Sequence, residues 1–214
     1  MVAYSAPRVG RPKSTSKRRA ILNAAQDIFM DVGYERTSMD AIAAAAGVSK
    51  QTVYSHFSNK EELFSECVLA KLLDYGLDMQ DHDPAAPMLP TLIETANRFL
   101  DLMLDDAVIA MHRLLIAESP AFPSLAQTFW RSGPTQLIDT LTQFFRDASH
   151  LGSVQIDEPA QAAHDFLCLV KGHYIKTLLA AERSLSDSER QAHAERCARQ
   201  TLQLHDRSVI ERHD

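Results

Sequence analysis

The stretch TSMDAIAAAAGVSKQTVYSHFSNK, residues 37–60, reads as two short helices joined by a tight turn, followed by the start of a third. Thr37 and Asp40 have the spacing of a helix-capping box, the alanines from Ala43 to Ala46 favour helix, and Gly47 supplies a left-handed residue to end it. Ser49 can then cap a second helix. That helix sets Val53 and Phe57 on one face at i, i+4, while Lys50, Gln51, Tyr54 and Ser55 fall on the other. Ser58, with Glu61 three residues on, restarts the chain as a long helix at Lys60. Three caps around a glycine turn predict a helix-turn-helix, with one face docked and the other free to read something.

On the N-terminal side, Ile21, Leu22, Ala25, Ile28, Phe29 and Val32 keep helical spacing. They predict a first helix from Lys17 to Gly33 that packs on the helix-turn-helix. Residues 1–16, with Gly10-Arg11-Pro12-Lys13 among Ser, Thr and Pro, read as a disordered basic arm. Such arms enter the narrow minor groove of A·T-rich DNA, and Arg11 and Lys13 are the residues expected to do so.

The run GYERTSMDAIAAAAGVSKQTVYSHFSNKEELF, with its G-V-S turn, T-V-Y-x-H-F core and N-K-E-E-L-F restart, resembles the DNA-binding domain of the TetR family of bacterial transcriptional regulators. The resemblance covers roughly residues 17–64. It implies an all-helical homodimer with an N-terminal DNA-reading domain, a larger C-terminal domain that senses a small molecule, and a fourth helix joining the two. A second stretch, RLLIAESPAFPSLAQTFWRSGP (residues 113–134), resembles the C-terminal domains of the AefR-like branch of that family.

Charge agrees with DNA as a partner once it is divided along the chain. The whole carries −6, but residues 1–60 hold nine Lys or Arg against four acids, a net of +5, which leaves −11 for the remainder. This asymmetry points the N-terminal end at phosphate. Lys50 and Gln51 match guanine and adenine by their donor and acceptor patterns, and Tyr54 and Ser55 complete the set expected at bases. Thr37, Ser38, Thr52, His56 and Lys60 are expected to hold phosphates, Lys60 also offering its amide at a helix N-terminus.

From Lys60 a fourth helix is predicted to about Met79, with Leu63, Phe64, Cys67, Leu72 and Leu73 inward. The sequence DHDPAAPMLP then places three prolines in seven residues and ends it. Helical periods follow over 90–104, 106–118, 123–150 (with a bend at Gly133-Pro134), 158–183 and 187–207. Asp157 with Pro159 and Ser186 with Glu189 mark two of the starts. No strand alternation or phosphate loop competes. The fold is therefore read as all-α: a basic arm (1–16), a three-helix DNA-binding domain (17–60), a connecting helix (61–80), a helical bundle for ligand binding and dimerisation (81–207) and a tail (208–214).

The middle helices carry Phe99, Met103, Met111, Leu115, Phe122, Phe129, Trp130, Phe144, Phe166 and Tyr174, which, with His173 as a polar anchor, are the expected wall of a ligand pocket. Aromatics and methionines at helical spacing also serve as plain core, so it is the set that favours an apolar or aromatic effector. Ala163, Leu167, Val170, Leu178, Ala181 and Leu202 form a stripe more apolar than one internal face needs, and these are the residues expected at a dimer interface.

No apolar run of about 18 residues is present, and no apolar signal core follows the basic N-terminus, so a cytoplasmic protein with no membrane partner is expected. Cys67, Cys168 and Cys197 share no metal-ligand spacing and read as reduced core thiols. His164 and His173 lie nine residues apart, half a turn out of phase, and cannot chelate together; no metal and no cofactor is expected. The function read from the chain is a ligand-responsive homodimeric repressor released from operator DNA. Alternatives are an activator or corepressor-dependent regulator of the same fold and, much further off, a small metal-dependent hydrolase. No paired carboxylates or nucleophile–base motif supports the hydrolase.

Overall fold

The computed structural model describes residues 15–79, 82–172, 174–180 and 185–210, and the chain divides into two compact units, 1–63 and 64–214. Among the described residues the regular structure is helical, with a single isolated bridge between Ile156 and Asp206.

The first unit contains α1 (Thr15–Val32), α2 (Met39–Ala45) and α3 (Lys50–His56), and it takes in the first turn of α4 (Lys60–Asp74). Helix α2 packs on both α1 and α3. The core is made by Ile21, Leu22, Phe29, Ile42, Val53 and Phe57, all buried. These are the apolar positions at helical spacing on each element, so the periodic pattern and the buried face coincide. Between α2 and α3, Gly47 has φ +64, and the Val48 amide returns to the Ala43 carbonyl at 3.0 Å. A side chain would strain that backbone, which is why the turn takes glycine.

The caps fall one residue away from two of the positions read from sequence. Helix α2 is capped by Ser38, whose Oγ accepts the Ala41 amide at 3.1 Å, and Thr37 instead donates its hydroxyl to the Gly33 carbonyl at 2.6 Å. Ahead of α4 the cap is Asn59, whose Oδ1 accepts the Glu62 amide, while Glu62 reaches back to the Ser58 amide. In both places two adjacent polar residues compete for one cap, and spacing alone does not choose between them. Ser49 caps α3 as expected, accepting the Thr52 amide at 3.1 Å.

The second unit continues α4 and adds α5 (Met88–Leu104), α6 (Asp106–Glu118), α7 (Pro123–Ser132), α8 (Pro134–His150), α9 (Pro159–Lys171), α10 (Tyr174–Leu178), α11 (Asp187–His205) and α12 (Arg207–Ile210). Helix α5 packs along α11 and α8 along α9, and α9 also touches α5 and α11, so α9 is enclosed on several sides. Three long helices expected from the sequence are shorter or divided. Helix α4 stops at Asp74, where the Leu77 amide folds back onto the Leu72 carbonyl, and Leu73 is 49% exposed rather than inward. The 123–150 span is two helices, because Pro134 has no amide to continue α7 and starts α8 at its first position. The 158–183 span ends at Gly172, whose φ of +44 leaves the helical region, before α10 resumes. Ser186 and Glu189 form the capping box expected for α11, whereas α9 is preceded by Glu158 without a side-chain cap.

Candidate nucleic-acid interface and effector cavity

Helix α3 is held by what it buries. Val53 is fully buried and Phe57 is 1% exposed, and this rotates Gln51, Tyr54 (46% exposed) and Ser55 outward together. Lys50, at the first helical position, is exposed as well. Its ammonium lies 2.8 Å from Asp40 Oδ1 on α2 and 5.9 Å from the Tyr54 ring centroid. The hydrogen bond that Lys50 donates to Asp40 and the charge of that carboxylate raise the Lys50 pKa. Ser55 donates its hydroxyl to the Thr52 carbonyl, and Thr52 shares a 2.8 Å hydroxyl contact with Ser49. Gln51 therefore stands on this face as an amide with paired donor and acceptor, the chemistry that matches an adenine edge.

The residues expected at phosphates divide. Ser38 is exposed at the N-terminus of α2, and Thr52 and His56 are part-exposed on α3. Thr37 is only 4% exposed and its hydroxyl is committed to Gly33, so it is a buried connector rather than a phosphate ligand. Lys60 also has a different role from the one read in the sequence. Its ammonium donates to the carbonyls of Tyr34 (2.6 Å), Glu35 (3.1 Å) and Thr37 (3.0 Å) and sits 4.4 Å from the Tyr34 ring centroid. The side chain closes the α1–α2 loop from within. Arg11 and Lys13 lie outside the described residues.

The second unit holds a cavity of about 180 Å³, built by α4 to α9. Five of the expected wall residues line it: Phe99 and Met103 from α5, Met111 from α6, and Phe129 and Trp130 from α7. Trp130 is 57% exposed and stands at the rim. The others do not reach it. Leu115 is buried one turn beyond Met111, Phe122 is half-buried ahead of α7, and Phe144 and Phe166 are core. Phe166 illustrates the reason: its neighbour Leu167 lines the cavity, and a step of one residue turns a helical side chain by about 100°. Tyr174 stands behind the wall, its hydroxyl 3.0 Å from His112 Nδ1, and His173 lies outside the described residues.

Polar lining residues outside the sequence-derived set are Lys71, His112, His164, Cys168 and Lys171. Lys71 is neutralised by Asp105 at 3.2 Å, which also accepts from Tyr75 (2.8 Å) and caps α6 through the Val108 amide. Burial opposes ionisation of Asp105, yet these hydrogen bonds and the Lys71 charge hold its carboxyl below the usual range. Burial pushes the Tyr75 hydroxyl up to about 12, with Asp105 adding to the effect. Burial lowers the His112 pKa, and Lys171 lowers it further. His112 Nδ1 lies 2.9 Å from the Val108 carbonyl and 3.0 Å from the Tyr174 hydroxyl, so this nitrogen is held by two oxygens. Cys168 is exposed rather than core, unlike Cys67 and Cys197. Among the described residues no group of three His, Cys, Asp or Glu side chains is arranged to hold a metal ion.

The stripe expected to dimerise is used inside the unit. Ala163, Leu167 and Val170 are buried because α9 is enclosed by α5, α8 and α11 of the same chain. Leu178 and Leu202 are half-buried against the same core, and Ala181 lies outside the described residues. No helix of the described residues is long and apolar enough to cross a membrane.

Comparison with known proteins bears on both units. Residues 21–67 match the family described as bacterial regulatory proteins, tetR family, and residues 90–205 match the AefR-like transcriptional repressor C-terminal domain. The uncharacterized HTH-type transcriptional regulator YhgD of Bacillus subtilis is 36% identical over 92 residues, 43% of this chain, and the match spans only 47% of that protein. The HTH-type transcriptional regulator UidR of Escherichia coli K12 is 29% identical over 65% of this chain and 70% of its own length. Among solved structures, the flavonoid-responsive regulator FrrA is 31% identical, with 91% of this chain and 99% of that one covered at a TM-score of 0.71. A TetR-family transcriptional regulator from Mesorhizobium loti is 27% identical, with 90% and 99% covered, also at 0.71.

Proposed function

The chain belongs to the TetR family of bacterial regulatory proteins, a family of transcriptional regulators rather than enzymes, and we propose that it is a ligand-responsive homodimeric repressor. In this reading it occupies a palindromic operator and leaves when a small apolar or aromatic effector fills the cavity of the second unit. The observation that carries DNA reading is the partition of α3: Val53 and Phe57 are buried, and Gln51, Tyr54 and Ser55 are turned out on the opposite face. A helix anchored in this way enters a major groove as a rigid body.

Gln51 pairs with an adenine edge, Lys50 reaches guanine when it leaves Asp40, Tyr54 packs near a thymine methyl and Ser55 completes the base contacts. Ser38, Thr52 and His56 hold phosphates, and Arg11 and Lys13 enter the adjacent minor groove. Two half-sites one helical turn apart, about 34–36 Å, follow from two-fold symmetry. Exposed Ile116 on α6, Ile175 on α10 and Leu179 just after it offer the second unit an apolar surface for association, α6 and α10 being in contact. The cytoplasm, where operator DNA resides, is the compartment this implies.

The effector class is supported by the cavity wall of Phe99, Met103, Met111, Phe129 and Trp130, and by the flavonoid response of FrrA, which is that protein's own property. An effector that binds only the DNA-free conformation, at a hundred times its dissociation constant, shifts the equilibrium by about 2.7 kcal/mol, roughly a hundredfold in occupancy. Footprinting on DNA upstream of the gene tests the reading, followed by anisotropy titration of the protected fragment. The expected footprint has two-fold symmetry and weakens steeply with salt. Absence of protection at low salt, or monomer alone in sedimentation at micromolar concentration, counts against it.

A further inference from the structure

One face of α9 contributes three of the five polar residues that line the largely apolar cavity. His164, Cys168 and Lys171, spaced i, i+4, i+7, all line it together with Phe99 and Phe129. We propose that the effector carries one anionic group, a carboxylate or an acidic phenolate, on a small ring system, and that Lys171 is its counter-ion. This rests on the cavity being the effector site and names the class of molecule it takes.

Three observations converge on Lys171. Of the two lysines lining the cavity, Lys71 already has Asp105 at 3.2 Å, whereas no carboxylate of the described residues pairs with Lys171. Its ammonium lies 6.0 Å from the centroid of the Tyr174 ring. The nearby acid on the same helix, Asp165, is turned to His164 and to His205, the latter at 3.0 Å. The wall therefore presents, at the exposed edge of a largely apolar space, one ammonium that no carboxylate of the described residues pairs with, and an anionic group on the ligand would meet it. The volume of about 180 Å³ lies below the range of roughly 300–1,000 Å³ typical of drug-sized ligands, which selects one or two fused rings. His112 also lines the cavity, near enough to Lys171 for that charge to lower its pKa beyond what burial does, and offers a second polar contact beside the anion.

The test uses the full chain and a matched pair of probes, 2-naphthoate and its methyl ester, titrated by calorimetry. Fluorescence of Trp130, the one tryptophan of the chain, reports occupancy of the rim. The acid is expected to bind roughly tenfold more tightly than the ester, the scale of one partly exposed ion pair with its hydrogen bond. Lys171→Gln should remove that preference and leave ester affinity within about twofold, and Lys171→Arg should retain it. Equal binding of acid and ester, equal behaviour of the Gln and Arg variants, or binding of neither probe at millimolar concentration overturns the inference. The same proteins titrated with the footprinted DNA in the absence of either probe separate the two readings: DNA binding by the parent chain together with any of these results refutes the anionic effector alone, and no DNA binding by the probe-free parent chain refutes the regulator.

Discussion

The ammonium of Lys60 donates to the carbonyl of Tyr34 at 2.6 Å and stacks over the same residue's ring, 4.4 Å from its centroid. A residue 26 positions away thereby ties the loop after α1 to the start of α4, with the Glu35 and Thr37 carbonyls as further acceptors. Replacing Lys60 with Met leaves those carbonyls to find other partners, and it should destabilise the first unit by about 1–3 kcal/mol. Hydrogen exchange over residues 33–38 should rise in the same variant. The slope of log affinity against log salt should stay near that of the parent; a slope reduced by about one would return Lys60 to the phosphate ligands.

Gln51 lies on the exposed face of α3 and is not part of the buried core, so Gln51→Ala should leave the melting temperature within error. Discrimination between the operator and a single-base variant should fall by about 1–3 kcal/mol at the base it reads. Competition binding against a panel of single-base variants measures both the size and the position of the loss.

Asp40 holds Lys50 and places an anion beside the exposed face of α3 that is proposed to read DNA. Asp40→Asn frees the ammonium and removes that anion, so operator affinity at low salt should rise several-fold, with a steeper salt dependence. Anisotropy titrations at two salt concentrations check it. A fall in affinity would mean instead that Asp40 orients Lys50 for its base.

Gly47 and Gly133 should respond to alanine for different reasons. At Gly47 a Cβ meets nothing within 4 Å, so the cost is the strain of φ +64 alone, roughly 1 kcal/mol, confined to the first unit. At Gly133 the Cβ would stand 2.8 Å from Val68 Cγ1, and this crowding beside the cavity should cost about 1–3 kcal/mol in the second unit. Calorimetric unfolding of the two variants, followed by probes in each unit, distinguishes them.

Burial lowers the His112 pKa below its ordinary 6.5, so the unfolded chain binds the proton more readily than the folded one. Its contribution to stability is therefore present above about pH 6.5 and is lost as pH falls through the folded value. Moving from about pH 7.5 to about pH 5.5 should lower the melting temperature of the second unit more in the parent than in His112→Gln. A thermal-shift comparison of the two at both pH values reads the difference.

The helix-turn-helix was legible because its signals are local. Ser49, Gly47 and the Val53–Phe57 pair act within one or two turns of chain, and each does what its spacing implies. Helix ends in the second unit were less legible. Gly133-Pro134 and Gly172 divide spans whose apolar period runs on through them, and periodicity records a face without recording a break. The cavity was half legible: Phe99, Met103, Met111, Phe129 and Trp130 line it, while Phe144 and Phe166, equally apolar and equally periodic, went to the core.

Taken by itself, the sequence determined the all-helical class, the family, the recognition helix and the side of it that faces outward, because capping, periodicity and charge are properties of neighbouring residues. Only the tertiary structure decided that Lys60 closes a loop, that Thr37 is buried, that Ala163, Leu167 and Val170 are spent inside one chain, and that Lys171 stands at the cavity with no acid of the described residues paired to it. Each of these depends on a partner far away in the chain, and a polar or apolar side chain takes its role from whichever partner packing brings to it.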